Sequence, residues 1–277
     1  MASSHSRYIW QGEIFRKALF FRGLAPGLPY NCHVLILALD TSSSAGSVAI
    51  LRDEEVLGVG SLSAEEPHSS SLFLGLDALL RELCLSSKSF DLFAVIAGPG
   101  SFTGLRVGLT AVKGLAEVYS KPIAAISALE AIAAQSKSSA PVLAPVLDAR
   151  RGQFYFAFYL RAEKPTASDG LELEGEEFLA TQEEFLAALQ SRAKGSDLTI
   201  VTPDPAMISS AAPPTDTLST LLHRISIERV SPVLAPFVGQ LGYRRAQRGQ
   251  LADALTLGAN YIRRCDAELH WKESPGS

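Results

Sequence analysis

The run from Ala97 to Gly108, Ala-Gly-Pro-Gly-Ser-Phe-Thr-Gly-Leu-Arg-Val-Gly, constrains the fold more than any other part of the chain, because it closes an apolar strand and opens a helix within a few residues. Before it, Asp91 to Ala97 reads as a short buried strand. Gly98, Pro99, Gly100 and Gly104 then force a tight reversal. Ser101 or Thr103 caps the next helix, in which Leu105, Leu109, Val112 and Leu115 or Ala116 recur at helical spacing. Glycines at a helix N-terminus have two readings. Their backbone N–H groups can hold an anion or a partner's carboxylate, or the loop is only the tight turn that packs helix on strand. A Walker-type phosphate loop is excluded, since Leu105 and Arg106 follow Gly104 where Lys and Ser or Thr are needed.

The 277 residues are 47% hydrophobic and 19% charged, the balance of a chain that folds around a sizeable core. No uninterrupted apolar run approaches the roughly 18 residues that a bilayer span needs, so no membrane partner is expected. A net charge of -4 argues against a broad basic surface that grips nucleic acid, and any RNA contact is expected to be shared with another protein. Cys32, Cys84 and Cys265 are odd in number and widely spaced, as free thiols in a reducing compartment are, and the expected location is cytoplasmic. His5, His33, His68, His223 and His270 form no i,i+4 pair. Four residues after His68 stands Leu72, so the helical two-histidine metal pattern is absent and no metal site is assigned. Residues 1–33 are basic and aromatic without the apolar core and cleavage site of a secretory signal, and are expected to be a poorly ordered extension.

In chain order, Val34 to Asp40 is a central-strand pattern ending on an acid, Thr41 to Gly46 a turn, Ser47 to Leu51 a return strand, and Val56 to Leu62 a third strand. A helix follows past Pro67, with Leu72, Leu76, Leu79, Leu80 and Leu83 at helical offsets and Phe73 and Leu74 widening its apolar surface. Such a helix serves either its own sheet or a second subunit. Then come the glycine turn, a helix over 103–119, a strand over 122–126 and an alanine-rich helix over 127–137. This succession predicts an α/β chain of ribonuclease H-like arrangement. Beyond a junction at 136–141 the pattern partly repeats: Val142 to Asp148, a turn through Arg150, Arg151 and Gly152, the aromatic strand Gln153 to Leu160, a strand near 171–173, a helix over 181–192 and a strand over 198–201. Pro203, Pro205, Pro213 and Pro214 mark a loop, and a helix spans 233–248. The expected layout is an extension over 1–33, subdomains over 34–138 and 139–258, each with a mixed sheet flanked by helices, and a tail over 259–277.

Paired strand-Asp-turn-strand units are similar to those of the actin, Hsp70 and sugar-kinase superfamily, in which such hairpins hold ATP phosphates. That resemblance implies nucleotide or interface contacts for Asp40, Thr41, Ser42 and Asp148. Two departures oppose it. Thr41 to Ser44 replaces the glycine that lets backbone approach phosphate, and the second hairpin carries the bulky Arg150 and Arg151. The alternative is that both acids hydrogen-bond their own turns.

Closer resemblance lies in Val34 to Ser42, Glu66-Pro67-His68-Ser69, the loop Ala97 to Gly108, and Leu147 to Tyr155. These segments resemble the TsaB (YeaZ) family of tRNA threonylcarbamoyladenosine biosynthesis, a Gcp-like relative of the TsaD transferases, over about residues 34–271. The resemblance implies a non-catalytic scaffold that pairs with a TsaD-like subunit, while a TsaE-like ATPase acts on the complex. It implies tRNA contact only through the complex, a homodimer in isolation, no strongly bound cofactor, and ATP at most at a complex interface. TsaD-type proteins carry a second histidine where this chain has Leu72. Partner contacts are expected from His68, Leu72, Phe73, Leu76, Leu80, Arg106 and Leu109, and a structural role from the loop Gly98, Pro99, Gly100, Ser101, Phe102, Thr103 and Gly104. The readings held against this are an ATP-dependent phosphotransferase and a peptidase.

Overall fold

The chain alternates short buried strands with amphipathic helices, and the resulting sheets decide where everything else lies. The computed structural model describes residues 33–63, 65, 67–161, 170–194, 196–211, 225–260 and 262. Nearly all of the extension expected over 1–33, most of the tail over 259–277, and Glu66, Cys32 and Cys265 lie outside them. In the first lobe, β1 (Leu35–Asp40), β2 (Ser47–Arg52), β3 (Glu55–Ser61), α1 (His68–Glu82), β4 (Leu92–Gly98), α2 (Phe102–Tyr119) and β5 (Ile123–Ser127) build a sheet of order β3-β2-β1-β4-β5. The meander is antiparallel, and β4 and β5 are added parallel through helices. Apart from its first residue β1 is buried, and β4 is buried throughout, as strands covered on both faces must be.

The crossover helix α3 (Ala128–Ala133) starts at Ser127, whose Oγ accepts from Leu129 N and Glu130 N. The second lobe repeats the plan with β6 (Val142–Asp148), β7 (Gln153–Arg161), β8 (Leu171–Thr181), α4 (Gln182–Ala193), β9 (Leu198–Thr202), α5 (Ala206–Ala211) and β10 (Ile225–Arg229). Its sheet order, β10-β9-β6-β7-β8, has the same connectivity as the first, with β6 in the role of β1. The tandem ribonuclease H-like α/β fold is therefore present in both halves.

The structure departs from the expected pattern at five points. The alanine-rich helix stops at Ala133, short of Lys137, because Glu228 of β10 captures the chain: its carboxylate accepts from Ser136 Oγ at 2.5 Å and from Lys137 N at 2.8 Å. The strand near 171–173 runs on to Thr181, and the proline-marked loop contains α5. Strand β10 was not anticipated at all. The last helix, α6 (Ala235–Gln247), belongs to the first lobe although it follows the second in sequence. It lies on β1, β2, β4 and β5, its Ala235 N donating to Ser47 Oγ at 3.1 Å. Gly239 permits this, for a Cβ there would stand 2.2 Å from Leu51 Cδ1.

The core has three parts. One lies between α1/α2 and the first sheet, and one between α4 and the second sheet. The third is shared: Ile36, Ala38, Leu51 and Ala94 of the first sheet join α3, α6 and Leu143, Ala157 and Val201 of the second. Among the described residues no helix is long and apolar enough to cross a membrane.

Candidate functional site

The glycine loop joins β4 to α2, and its geometry follows from what is packed onto it. Ser101 caps the helix, its Oγ accepting from Gly104 N at 3.3 Å. Its own N–H, which faces the place an anion would take, donates to Ser42 O at 2.7 Å. Thr41 Oγ1 donates to Gly104 O at 2.7 Å. A Cβ on Gly100 would come within 2.6 Å of Ser42 O, and one on Gly104 within 1.9 Å of Thr41 O. The glycines therefore admit the chain's own Thr41-Ser42 turn. A phosphate at the Ser101 amide would have to displace the Ser42 carbonyl.

Asp40 is fully buried behind the turn. Its Oδ1 accepts from Ser42 N at 2.8 Å and Ser42 Oγ at 2.6 Å, while Oδ2 has no hydrogen-bond partner among the described residues. Burial pushes its carboxyl above the ordinary range, opposed by the Ser42 bonds and by nearby His68. His68, at the first turn of α1, donates from Nε2 to Ser43 O at 2.8 Å, and its Nδ1 is buried without a partner among the described residues. Thus Asp40 and Thr41, expected to contact a nucleotide or an interface, are interior groups that shape the turn, and only Ser42 of the three reaches a cleft. Asp148 is exposed and does line that cleft, where it accepts from Arg150 N at 2.7 Å. Arg150 and Arg151 hold positive φ angles of 64° and 57°, so the second turn presents bulky side chains.

The cleft lies between the lobes and has a volume of about 1110 Å³. Ser42, His68, Pro99, Ser101 and Arg106 line it from the first lobe, and Asp148, Tyr155, Thr202 and Asp204 from the second. Arg106 stacks its guanidinium 3.7 Å from the centre of the Phe102 ring. Tyr155 falls in the segment that carries the family resemblance, whereas Thr202, Asp204 and Asn260 carried no mark in the sequence. Thr202 ends β9 and the other two stand in loops, and they meet the first lobe's residues only once the chain has folded. Among the described residues no group of three or more His, Cys, Asp or Glu is placed to hold a metal.

The expected partner surface divides. Leu72, Leu76 and Leu109 are buried in the chain's own core against the first sheet and cannot present side chains to another subunit. The large apolar side chains that α1 does expose are Phe73, at 52%, and Leu74, at 63%. Leu80 is half-buried, His68 partly so, and Arg106 and Thr103 are exposed on α2.

Comparison with known proteins agrees with this architecture. Residues 50–202 match the family described as "TsaD: tRNA N6-adenosine threonylcarbamoyltransferase". The chain belongs to this family, as a member of TsaB/YeaZ type. The Bacillus subtilis protein "tRNA threonylcarbamoyladenosine biosynthesis protein TsaB" is 36% identical over 124 residues, which cover 45% of this chain and 54% of that one. The Haemophilus influenzae protein of the same description is 34% identical over 152 residues, covering 54% of this chain and 64% of that one. The chain thus spans between half and two thirds of the length of these curated relatives. A solved structure, described as an uncharacterized protein with similarity to peptidase YEAZ from Pseudomonas aeruginosa, superposes with a TM-score of 0.66 at 24% identity, over 83% of this chain and all of that one. That likeness concerns the fold.

Proposed function

We propose that the chain is an accessory subunit of the assembly that forms threonylcarbamoyladenosine at position 37 of tRNA, pairing with a TsaD-type transferase and performing no transfer itself. The observation that carries this is the filled glycine loop. Ser42 O occupies the Ser101 amide and Thr41 packs into Gly104, so the element that would bind an anion is used to hold the chain's own hairpin. The buried Leu72, four residues past His68, supports the same reading, and so do the names of the curated TsaB relatives.

On this reading Phe73 and Leu74 of α1, flanked by Leu80 and by Arg106 of α2, form the pairing face. In isolation the same face would join two copies of the chain as a homodimer. A TsaE-type ATPase acts on the assembled complex, tRNA is met through that complex, and ATP belongs at its interface. The filled loop weighs against an ATP-dependent phosphotransferase. The test has two arms: co-purification with the TsaD-type protein of the same cell, and the level of threonylcarbamoyladenosine in tRNA after depletion of this chain. Pairing with loss of the modified base is expected. A normal level of modification after depletion would refute the reading.

A further inference from the structure

Beyond α6 the chain runs back across the first lobe. Ala252 exchanges two backbone hydrogen bonds with Ile123 of β5, at 2.9 and 2.8 Å. Asp253 closes a turn by accepting from Leu255 N and Thr256 N at 2.9 and 2.7 Å, and Leu257 is buried against the α1/α2 side of the sheet. Asn260 N then donates to Ala97 O at 2.7 Å, at the end of β4. The carbonyl of Asn260 lies where a Cβ on Gly98 would stand, 2.3 Å away, and Gly98 takes a φ of +140°. Residues 251–260 therefore cross from β5 to the glycine loop, and Asn260 and Ile262 reach the interlobe cleft.

There the segment meets the second lobe through the Asn260 side chain. Asn260 Nδ2 donates to Glu177 Oε2 at 2.9 Å, and Glu177 Oε1 accepts from Ser127 Oγ, the cap of α3. Glu177 sits in β8 just beyond Gly175, where the pairing with β7 shifts register. The groups that face it are Tyr159 of β7, Glu130 of α3 and Arg245 of α6. Arg245 pairs with Glu130 at 2.5 Å and also donates to Ala125 O. Arg245 thus contacts Glu130 and acts on Glu177 only through its charge.

We propose that residues 251–260 are a strap and that Glu177 is its clasp: while Glu177 bridges Ser127 and Asn260 the cleft keeps its width, and releasing it frees the strap and widens the cleft without unfolding either lobe. The shared core around α3 and α6 holds the lobes together when the clasp is open. Burial, with Glu130 adding to it, pushes the Glu177 carboxyl above its ordinary value of 4.5, against the pull of Ser127, Asn260 and Arg245. A released Glu177 meets water and titrates near that ordinary value. The closed clasp therefore binds the proton more tightly than the open one, so closure is strongest below about 4.5 and weakens as the pH rises through the raised value. The device does not depend on the proposed partner.

Hydrogen exchange on the full chain, corrected for intrinsic rates and followed from pH 5 to pH 8, tests it. In Asn260→Ala, whose side chain is exposed, and in Glu177→Ala, exchange in residues 251–260 and 97–101 at pH 5 should rise at least tenfold, with α4 and β9 at wild-type rates. Glu177→Gln keeps an acceptor for Asn260 and has no proton to lose, so its strap should keep the same protection throughout, while that of the wild type falls as the pH rises. If Glu177→Ala exchanges everywhere because it fails to fold, Asn260→Ala decides alone. Wild-type exchange in the strap of Asn260→Ala, or a wild-type strap as indifferent to pH as that of Glu177→Gln, overturns the proposal.

Discussion

Gly104 and Gly114 lie on the same helix and answer to different demands. A methyl group on Gly104 would have to displace the Thr41 carbonyl, whereas nothing lies within 4 Å of one on exposed Gly114. Gly104→Ala is therefore expected to cost on the order of 3 kcal/mol, while Gly114→Ala should gain roughly 0.5–1 kcal/mol from helix propensity. Urea unfolding of the two variants checks both, and a tolerated Gly104→Ala would mean that the Thr41-Ser42 turn does not need its place. Asp40 supplies a pH test at the same spot. Its carboxyl is raised by burial above the value of 3.8 it has when solvated, so the folded chain holds that proton more tightly than the unfolded one. The stability this provides is complete below about 3.8 and is lost as the pH rises through the folded value. Asp40→Asn removes the effect. The wild type should gain on it once the pH falls through the folded value towards pH 4.5, in urea midpoints taken from pH 8 downward, and a constant difference would show that Asp40 is not the titrating group. The loop itself was legible in the sequence, because glycine and proline at a strand end restrict the conformations open to the next few residues. The reason for its glycines was not, since it depends on Thr41, some sixty residues earlier, arriving on top of them.

Helix α1 carries two kinds of apolar side chain, and spacing alone does not separate them fully. Leu72, Leu76 and Leu79 face the first sheet, and Phe73 and Leu74 face outward. Leu76→Ala should cost about 2–5 kcal/mol as a core truncation, and a charge at that position would damage the fold before it could report on any partner. Phe73→Asp and Leu74→Asp are the informative changes. Each should alter stability by no more than about 0.5 kcal/mol, as surface substitutions do, and should abolish co-elution with a TsaD-type protein. Co-elution preserved in the double variant would remove this face from the proposed function. At this scale the sequence read well wherever apolar periodicity was strong: β1, β4 and α2 stand within a residue or two of their expected bounds. It failed at β10, whose Ile225–Arg229 is short and mostly outward-facing, and whose only clear function is to pair with β9 and hold Ser136 and Lys137 through Glu228. It also passed over Glu177, although the doubled Glu176-Glu177 after Gly175 interrupts an otherwise regular alternation and is the local mark of a register shift.

The molecule is built from two copies of one plan, yet it is not two independent domains. Sequence order places α6 after the second lobe, and hydrophobic patterning says that it has an apolar face without saying which sheet receives it. The choice is made by fit: Gly239 meets Leu51, and Gly242 meets Ala94, so the helix can approach only the first sheet this closely. The inner faces of both sheets then share one core with α3. A consequence can be measured. Leu143 of β6 is in the second sheet but packs into the shared core, so Leu143→Ala should cost about 2–5 kcal/mol and lower the stability of both lobes together. Calorimetry of the wild type should give one transition, with equal calorimetric and van't Hoff enthalpies, and the variant should keep a single transition at a lower midpoint. Exchange of the β1 amides should accelerate along with those of β6 and β9. Two separable transitions, or a β1 that keeps its protection while β6 loses it, would show that the sheets fold apart and that α6 belongs to the first lobe alone.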